Sequence, residues 1–364
     1  MKLLNINIVN DRTIFEGEIR FDNKIRSIKK LSEIPNPKLD YLLPGFIDLH
    51  VHGGGGVDVM DNGSLDAMLK LHASKGTTSL LLTTVTAKHD QLLSVFQKIE
   101  NKKINPLESE SKILGVHLEG PYINENKLGA QPDFTRALNT DEIDELNKIS
   151  TIKVITVAPE FLSPTDIDYF HKNKMIIQLG HSDANYEQSL EAFNRGAKSV
   201  THLYNAMSSF HHRQPGLIGA SLAHAEFSEI IPDLLHVHPG AIKAALRAIP
   251  KIYFVTDATS ATGMPDGEYQ LGSHQVHKCQ NGVRLSDGTL AGSSLDLHQA
   301  LLNLISPAMG LNLAEVSYRL STIQSELLGI DHLRGRIKEE LFSDLVILDQ
   351  QFQIKKVYVE GNEV

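Results

Sequence analysis

Short apolar runs of strand length mark both ends of the chain. Each run alternates or clusters apolar residues between polar, turn-forming residues, a pattern typical of strands joined by hairpins. The runs are Leu3–Val9, Thr13–Phe21, Lys24–Lys30, Asp344–Leu348 and Phe352–Val359. The pattern therefore predicts a small β domain formed by residues 1–43 together with residues 345–364.

The middle of the chain, residues 44–344, alternates apolar runs with helical patterns. Residues Leu65–His72 place apolar side chains at helical spacing, with Ser64 as the predicted N-cap, and residues 186–193 repeat this spacing. The strand-length runs are Tyr41–Asp48, Ser79–Val85, Ile113–Glu119, Lys153–Ala158, Met175–Gly180, Ser199–Leu203, Glu229–Leu235 and Ile252–Asp257. Eight strands that alternate with helices predict an α/β fold, the (β/α)₈ TIM-type barrel. An open, doubly wound sheet shares this periodicity and remains the structural alternative.

Composition limits the classes of protein without selecting one. The chain of 364 residues is 41% hydrophobic and 22% charged, and its net charge of −9 argues against a broad nucleic-acid-binding face. One cysteine, Cys279, excludes an intrachain disulfide, as expected for a reducing compartment. The N-terminus lacks the apolar core of a signal peptide, and the apolar runs are too short to cross a bilayer. We therefore expect a cytoplasmic protein with neither nucleic-acid nor membrane partners.

Residues able to bind a metal stand at the ends of five of the eight predicted barrel strands. They are His50 and His52 on the first strand, Glu119 on the third, His181 on the fifth, His202 on the sixth and Asp257 on the eighth. The C-terminal strand ends of such a barrel meet at one face, where functional groups collect. Residues i and i+2 of a strand point to the same side, so both histidines of the first strand can face one point.

Each of these residues alone also has a structural explanation. A histidine can be a hydrogen-bonded core residue, Glu119 can be an ordinary ion-paired carboxylate, and Asp257 can cap a helix. Their joint placement favours a site for a divalent cation such as Zn²⁺, Fe²⁺, Mn²⁺ or Co²⁺, which takes nitrogen and oxygen ligands. Gly53–Gly56 follow the histidine pair. They could cradle a phosphate, but we favour a tight backbone turn.

At these positions the sequence resembles a known family. The segment Pro44–Gly54, which contains the histidine pair, is similar to the first-strand motif of amidohydrolases. Further motifs narrow the resemblance to the N-acetylglucosamine-6-phosphate deacetylases. These motifs are His117–Tyr122, Gly180–Ala184, Thr201–Met207, Phe210–Gly216, Leu235–His238, Val255–Thr259 and Leu290–Ser293. The resemblance runs from Pro44 to Asp349 and implies a barrel with a small β-sandwich domain, in agreement with the strand patterns.

The resemblance also implies which residues bind metal and which carry the chemistry. Glu119, His181 and His202 match the ligands of the principal metal. His50 and His52 match a pair found in members able to hold a second metal, and Asp257 matches the catalytic carboxylate. The implied cofactor is therefore a divalent metal ion, with one or two ions per chain.

A third set of residues matches positions that hold the sugar phosphate. These are Asn205, Ala206 through its backbone, Arg213 and His236. His236 is predicted to end the seventh barrel strand, whereas Arg213 is predicted to lie in a loop after the sixth. The resemblance implies a homodimer in which Arg213 reaches the neighbouring subunit, and an amino-sugar phosphate as the small-molecule partner.

The implied reaction is metal-dependent hydrolysis of the N-acetyl amide of N-acetyl-D-glucosamine 6-phosphate to D-glucosamine 6-phosphate and acetate, in amino-sugar catabolism. The sequence departs from the family pattern at Gln214, where an acidic residue is more usual, and at Leu234, where a glycine is more usual. One alternative is a deacetylase of N-acetylgalactosamine 6-phosphate. Another is a catalytically silent barrel that serves as a scaffold, although the filled ligand positions argue against it.

Overall fold

The structure, a computed structural model, describes residues 2–280 and 282–364. Its strands are β1 Lys2–Asn10, β2 Thr13–Phe21, β3 Ile25–Ser32, β4 Tyr41–Pro44, β5 Phe46–Val51, β6 Gly53–Gly54, β7 Val57–Asp58, β8 Thr77–Thr84, β9 Lys112–Glu119, β10 Ile152–Val157, β11 Ile176–Leu179, β12 Ser199–Val200, β13 Phe227–Ile230, β14 Lys251–Phe254, β15 Gly267–Leu271, β16 His274–Cys279, β17 Gly282–Arg284, β18 Leu345–Leu348, β19 Ile354–Val359 and β20 Asn362–Glu363. Its α-helices are α1 Asp66–Ser74, α2 His89–Ile104, α3 Thr140–Ile149, α4 Pro164–Lys172, α5 Tyr186–Asn194, α6 Gly216–His224, α7 Pro239–Ala248, α8 Leu297–Ile305, α9 Leu313–Ser317 and α10 Ile323–Leu327. A π-helical segment, Tyr318–Thr322, joins α9 to α10.

Eight parallel strands, β5 and β8 to β14, form the barrel predicted from the sequence. The strands β5, β8, β9, β10, β11 and β12 are hydrogen-bonded in chain order as one sheet, and β13 pairs with β14. The Leu203 amide, which follows β12, donates to the Glu229 carbonyl of β13 at 2.9 Å. The barrel closes after β14, where the Asp257 amide donates to the His50 carbonyl of β5 at 3.0 Å. Closure excludes the open, doubly wound sheet.

The barrel strands are apolar because they are covered on both sides, by helices outside and by packed side chains inside. All eight residues of β8 are buried. The interior also contains buried polar side chains, which include Asp48, His117, Gln178 and Glu229. Asp48 accepts a hydrogen bond from the Thr256 hydroxyl at 2.7 Å and so ties β5 to the segment after β14. The floor of the barrel mouth is therefore a polar layer.

Helical spacing located α1 and α5, but the N-cap predicted for α1 was wrong. Leu65 is the N-cap residue, and the Ser64 hydroxyl accepts only from the Asp66 amide, at 3.2 Å. Helix α5 begins with a reciprocal capping box between Asn185 and Gln188. Several polar residues near a helix start can serve as caps, so spacing places the helix body better than its ends.

The two chain ends build one seven-stranded sheet in the order β20-β19-β18-β4-β1-β2-β3. Phe21 of β2 and Tyr358 of β19 meet edge to face at 5.2 Å although three strands separate them, so the sheet folds over its own core. This is the predicted β-sandwich. The single strand predicted over Tyr41–Asp48 is two strands, because β4 belongs to this sheet and β5 to the barrel. Apart from the half-buried Tyr41, both strands are buried, so the apolar pattern shows no break between them.

A three-stranded antiparallel sheet, β15 to β17, follows β14 and was not indicated by the apolar pattern. Leu271 of β15 reaches the mouth of the barrel. Over the residues that the structure describes, the helices are all too short or too polar to cross a bilayer.

Arg334 fastens the seven-stranded sheet to the barrel. Its guanidinium lies 2.5 Å from Ser79 Oγ of β8, 3.1 Å from Asp344 and 2.8 Å from Glu360, and the side chain is 7% exposed. Burial raises the pKa of Asp344, and the Arg334 charge opposes this effect. The buried carboxylate therefore depends on the arginine for its compensating charge.

Replacing Arg334 with Met should lower the free energy of unfolding by about 3–5 kcal/mol, because the Asp344 carboxylate would stay buried without its cation. The matched control is Arg26→Met. Arg26 also pairs with two carboxylates, but these side chains are 38–68% exposed, and the change should cost under about 1 kcal/mol. Urea unfolding followed by circular dichroism measures both variants. Equal losses would show that the buried pair has no special role.

Candidate active site

A cavity of about 200 Å³ opens at the C-terminal ends of the barrel strands. Eight of the ten site residues predicted from the sequence line it: His52, Glu119, His181, His202, Asn205, Ala206, His236 and Asp257. His50 is fully buried beside His52, and Arg213 is exposed outside the cavity. The remaining wall comes from the loops after β9 and β13 and from the segment after β17. The barrel thus brings the predicted residues together, with Arg213 as the exception.

Four histidines and Glu119 converge at the cavity floor. The Nε2 atoms of His181 and His202 lie 3.0 Å apart, at 3.1 and 3.2 Å from Glu119 Oε1. The Nε2 atoms of His50 and His52 lie 3.1 Å apart, at 3.5 and 3.2 Å from Glu119 Oε2. The five side chains form two groups able to hold a metal ion, and Glu119 belongs to both.

Hydrogen bonds on the far side of the rings decide which nitrogen faces the cavity. His52 Nδ1 donates to the Thr83 carbonyl at 3.1 Å, and His181 Nδ1 donates to the Lys127 carbonyl at 2.8 Å. A carbonyl only accepts, so the Nε2 atom of each neutral ring presents a lone pair. These lone pairs face the Glu119 carboxylate, an arrangement that repels unless positive charge lies between the groups. The residues therefore fit a divalent metal ion with nitrogen and oxygen ligands.

The pKa values of the histidines and carboxylates also indicate that positive charge stabilises this cluster. Burial would lower the pKa of His52, but hydrogen bonds with Asp257 and Glu119 raise it to about 9. Burial would raise the pKa of Glu119, but the surrounding histidines, His50 foremost, hold it well below its usual range. The carboxylates thus favour positive charge among the imidazoles, carried either by a proton or by a metal ion.

Three strand-end residues of the site have a left-handed backbone. The φ angle is +48° at His181, +26° at His202 and +51° at Asp257. This region costs a non-glycine residue about 1–2 kcal/mol, and such strain concentrates at functional sites. Each chain segment turns sharply at this residue, whose side chain lines the cavity.

The motif Leu290–Ser293 is hydrogen-bonded to the segment that contains Asp257 and so holds that segment in place. The Ser293 amide donates to the Asp257 carbonyl at 2.7 Å, and its hydroxyl donates to the Thr256 carbonyl at 2.6 Å. A Cβ atom at Gly292, where φ is +56°, would lie only 2.9 Å from the Asp257 carbonyl oxygen. Glycine is required here by the close approach of the two segments.

The glycines that follow the histidine pair also have a structural role in the backbone. The amides of Gly53, Gly55 and Gly56 donate to carbonyls within residues 258–262, at 2.9 Å each. Because these amides are already used, the segment is the tight turn favoured from the sequence and not a phosphate cradle.

His236 lines the cavity from the loop after β13, so its predicted place at a strand end was wrong. The Asp233 carboxylate accepts from His236 Nδ1 at 2.7 Å and from the His236 amide at 2.9 Å. Burial would lower the pKa of His236, but Asp233 raises it, which favours a positively charged ring. Leu234, where the resemblance led us to expect glycine, has a φ of +65° and therefore carries backbone strain.

Asn205 and Ala206 lie on the His202 side of the cavity. The Asn205 side-chain nitrogen donates to the His202 carbonyl at 3.2 Å, so its position follows that of His202. Arg213 lies in the loop before α6, where its Nη1 contacts His212 Nε2 at 2.8 Å. Arg213 is thus exposed and does not line the cavity of its own chain.

Sequence reasoning missed two polar residues that contact the cluster. Gln131, in the loop after β9, donates to Glu119 Oε2 at 2.6 Å and accepts from the Thr86 amide at 2.6 Å. Glu229, in β13, accepts from His50 Nδ1 at 2.7 Å. A single glutamine in a loop has no sequence pattern that indicates a role in a site. A carboxylate inside an apolar strand does indicate a functional or structural role, because a buried charge must be paired or hydrogen-bonded.

A closed barrel with metal-binding groups at its strand ends defines the class of this protein. Residues 41–364 match the Amidohydrolase family, and the chain belongs to that family. The match begins in β4 and covers the whole barrel.

Individual relatives narrow the class. The chain is 39% identical to N-acetylglucosamine-6-phosphate deacetylase of Vibrio furnissii, over 89% of this chain and 82% of that protein. It is 35% identical to N-acetylgalactosamine-6-phosphate deacetylase of Escherichia coli O157:H7, over 88% of this chain and 87% of that protein. The crystal structure of N-acetylglucosamine-6-phosphate deacetylase from Thermotoga maritima matches with a TM-score of 0.91 at 33% identity, over 100% of this chain and 99% of that chain. The chain is a member of the N-acetylglucosamine-6-phosphate deacetylase family.

Proposed function

We propose that this enzyme hydrolyses the N-acetyl amide of N-acetyl-D-glucosamine 6-phosphate to D-glucosamine 6-phosphate and acetate, in amino-sugar catabolism. One observation carries the proposal: the metal-binding groups at the cavity floor lie directly beside the Asp257 carboxylate. The substrate class is supported by relatives named as deacetylases of N-acetyl amino-sugar 6-phosphates. A cytoplasmic location is proposed because the sequence has one cysteine, Cys279, and therefore no intrachain disulfide.

Two groups of residues are proposed to hold metal. Glu119, His181 and His202 would hold the principal ion, and His50 and His52 would share Glu119 with a second one. This donor set suits Zn²⁺, Fe²⁺, Mn²⁺ or Co²⁺, among which availability decides as much as affinity. When bound, the ion supplies a Lewis acid that polarises the acetyl carbonyl and makes the attacking water more acidic.

Asp257 is the proposed proton carrier. Its Oδ1 lies 3.3 Å from His52 Nε2, between the histidine cluster and the open cavity. Burial would raise the pKa of Asp257, but His50 and His52 hold it below its usual range, so the carboxylate is ionised. It accepts a proton from the attacking water and returns that proton to the amide nitrogen, because the amine must be protonated to leave.

The phosphate is proposed to bind at the rim, away from the floor. The cavity of about 200 Å³ is smaller than the roughly 300–1,000 Å³ of typical ligand pockets. The Glu119 and Asp257 carboxylates would repel a dianion, whereas His236 favours positive charge. Arg213 lies outside its own cavity, and its planar donor fork suits a phosphate. We therefore propose a homodimer in which Arg213 completes the phosphate site of the partner.

Acetate release from the two epimeric N-acetylhexosamine 6-phosphates tests the proposed function. We expect release from the gluco substrate, loss of release after chelation, and recovery when a divalent ion is returned. The galacto substrate is the second candidate, favoured by the relative that is 35% identical. A higher kcat/KM for the galacto substrate would replace the first candidate with the second, and no release from either would favour the silent barrel.

The double variant His50→Gln with His52→Asn should bind less metal per chain than the wild type. Both Nε2 atoms that face Glu119 Oε2 are removed, while His181 and His202 keep their contacts with Oε1. Metal analysis after dialysis measures the stoichiometry, with His89→Gln as the control, because His89 does not line the cavity and pairs with Glu145. An unchanged metal count would show that the pair does not hold a second ion.

Replacing Arg213 with Ala should raise KM for the 6-phosphate substrate and leave the weak turnover of unphosphorylated N-acetylglucosamine nearly unchanged. A charged hydrogen bond contributes about 1.5–3 kcal/mol, so the expected loss of discrimination is about 10- to 150-fold. Arg195→Ala, which removes an exposed arginine paired with Glu191, is the control. Equal slowing of both substrates would contradict the phosphate assignment. A loss confined to low protein concentration would place Arg213 in the dimer interface.

A further inference from the structure

Glu229 is a fully buried carboxylate beneath the cavity, in β13. Three nitrogen neighbours of its side chain can donate to it. Oε1 accepts from His50 Nδ1 at 2.7 Å and from the His202 amide at 2.9 Å. Oε2 accepts from Gln178 Nε2 at 3.3 Å, whereas the Tyr253 hydroxyl, 3.4 Å from Oε2, donates to Gln178 Oε1 at 2.5 Å. Both oxygens thus accept from nitrogen donors, as those of an ionised carboxylate do.

The bond to His50 decides which ring nitrogen faces the cavity. Because the carboxylate accepts, His50 Nδ1 carries the hydrogen, and in the neutral ring Nε2 is left with its lone pair. That Nε2 lies 3.1 Å from His52 Nε2 and 3.5 Å from Glu119 Oε2. His50 is the one histidine of the cluster whose Nδ1 bonds to a carboxylate, since His52 and His181 use backbone carbonyls. A carboxylate partner orients the ring and makes its free nitrogen a better ligand.

The bond to His202 fixes a second metal-binding residue by a different route. Its amide donates to the same Glu229 oxygen, and its φ of +26° lies in the strained left-handed region. The next amide, of Leu203, donates to the Glu229 backbone carbonyl at 2.9 Å. Within the described residues, His202 Nδ1 has no hydrogen-bond partner. The position of this ring thus depends on its backbone, which Glu229 holds.

We propose that Glu229 is the positioning residue of the metal centre, and that it acts on both groups at once by setting the tautomer of His50 and the backbone of His202. The inference rests on the proposed metal site. It adds a residue outside that site on which the affinity of both groups depends. It also explains why a charged side chain is retained inside a barrel strand, where burial opposes it.

Nuclear magnetic resonance of the wild-type chain gives the first test, and a variant is needed only to assign the signal. In the chain labelled with ¹⁵N-histidine, Nδ1 of His50 should carry a hydrogen both in the metal-free and in the zinc-loaded state. Its proton should resonate far downfield, as expected for a bond to a carboxylate. The signal is assigned by its absence in His50→Gln. A bare Nδ1 in either state would overturn the inference.

Glu229→Gln with Glu110→Gln as its matched control gives the second test. Glu110 is also buried, but it pairs with Lys102 away from the cavity. Titration of metal-free protein with Co²⁺, followed by the absorption of the bound ion, should show about 10- to 100-fold weaker binding in Glu229→Gln and wild-type binding in the control. Glu229→Asp, which restores the charge, should recover part of the affinity.

The outcomes separate this inference from the proposed function. A wild-type chain that binds no divalent ion would contradict the proposed metal site itself. A wild-type chain that binds the ion, with equal affinity in Glu229→Gln, would overturn the role of Glu229 and leave the metal site standing. Equal weakening in both glutamine variants would reveal a general effect of losing a buried charge and would also overturn the inference.

Discussion

Replacing Glu119 with Ala should remove bound metal and lower the rate of acetate release at least about 10³-fold. Glu119 lies within 3.5 Å of the Nε2 atoms of all four histidines and belongs to both metal-binding groups. Its loss takes one ligand from each group and leaves the imidazoles without a shared counter-charge. Metal-ion catalysis contributes several kcal/mol to stabilisation of the transition state, and about 4 kcal/mol corresponds to this rate loss.

Metal analysis and acetate release on the same preparation measure both effects of the Glu119 change. Glu145→Ala, which removes an exposed glutamate bound to His89, is the control and should change neither quantity. A Glu119→Ala variant with full metal content and full activity would contradict the site assignment. A variant that retains the metal but loses activity would indicate that Glu119 contacts the substrate and is not a metal ligand.

Replacing Asp257 with Asn should lower kcat at least about 10²-fold while metal content is retained, the usual scale for the loss of a general acid–base group. Asn keeps the shape of the side chain and tolerates the left-handed backbone of this position, where φ is +51°. The change therefore removes the proton-accepting charge without forcing the strand end to rearrange. Asp257 also lies outside the two metal-binding groups, so metal loss is not expected.

The Asp257 variant is compared with Asp266→Asn, an exposed aspartate farther along the same connection. A kcat loss below tenfold would show that another group carries the proton. Loss of metal together with activity would instead make Asp257 a ligand. Measuring kcat and metal content on the same sample distinguishes these results.

The sequence was sufficient to predict the residues at the strand ends. Glu119 ends β9, and His181, His202 and Asp257 follow β11, β12 and β14 within two or three residues. The apolar runs locate the strands, and the barrel topology then brings their ends to one face, so no knowledge of side-chain directions is needed. His236 was misplaced because it does not stand at a strand end. It lies in a loop, six residues beyond the end of β13 at Ile230.

Contacts that depend on side-chain direction could not be predicted in this way. Glu229 and His50 are 179 positions apart, and their bond requires both side chains to point into the same layer of the barrel interior. Gln131 meets Glu119 only because the loop after β9 folds back over the cavity. The boundary between β4 and β5 also could not be predicted, since two buried strands in succession give one continuous apolar run.

The left-handed backbone at His181, His202 and Asp257 opposes stability to the needs of the site. For folding alone, glycine or asparagine would suit these three positions better, because they adopt this conformation at lower cost. Exchanging these side chains for glycine would relieve the backbone and remove the groups that line the cavity. Their joint presence therefore places the needs of the site above local backbone stability at three positions.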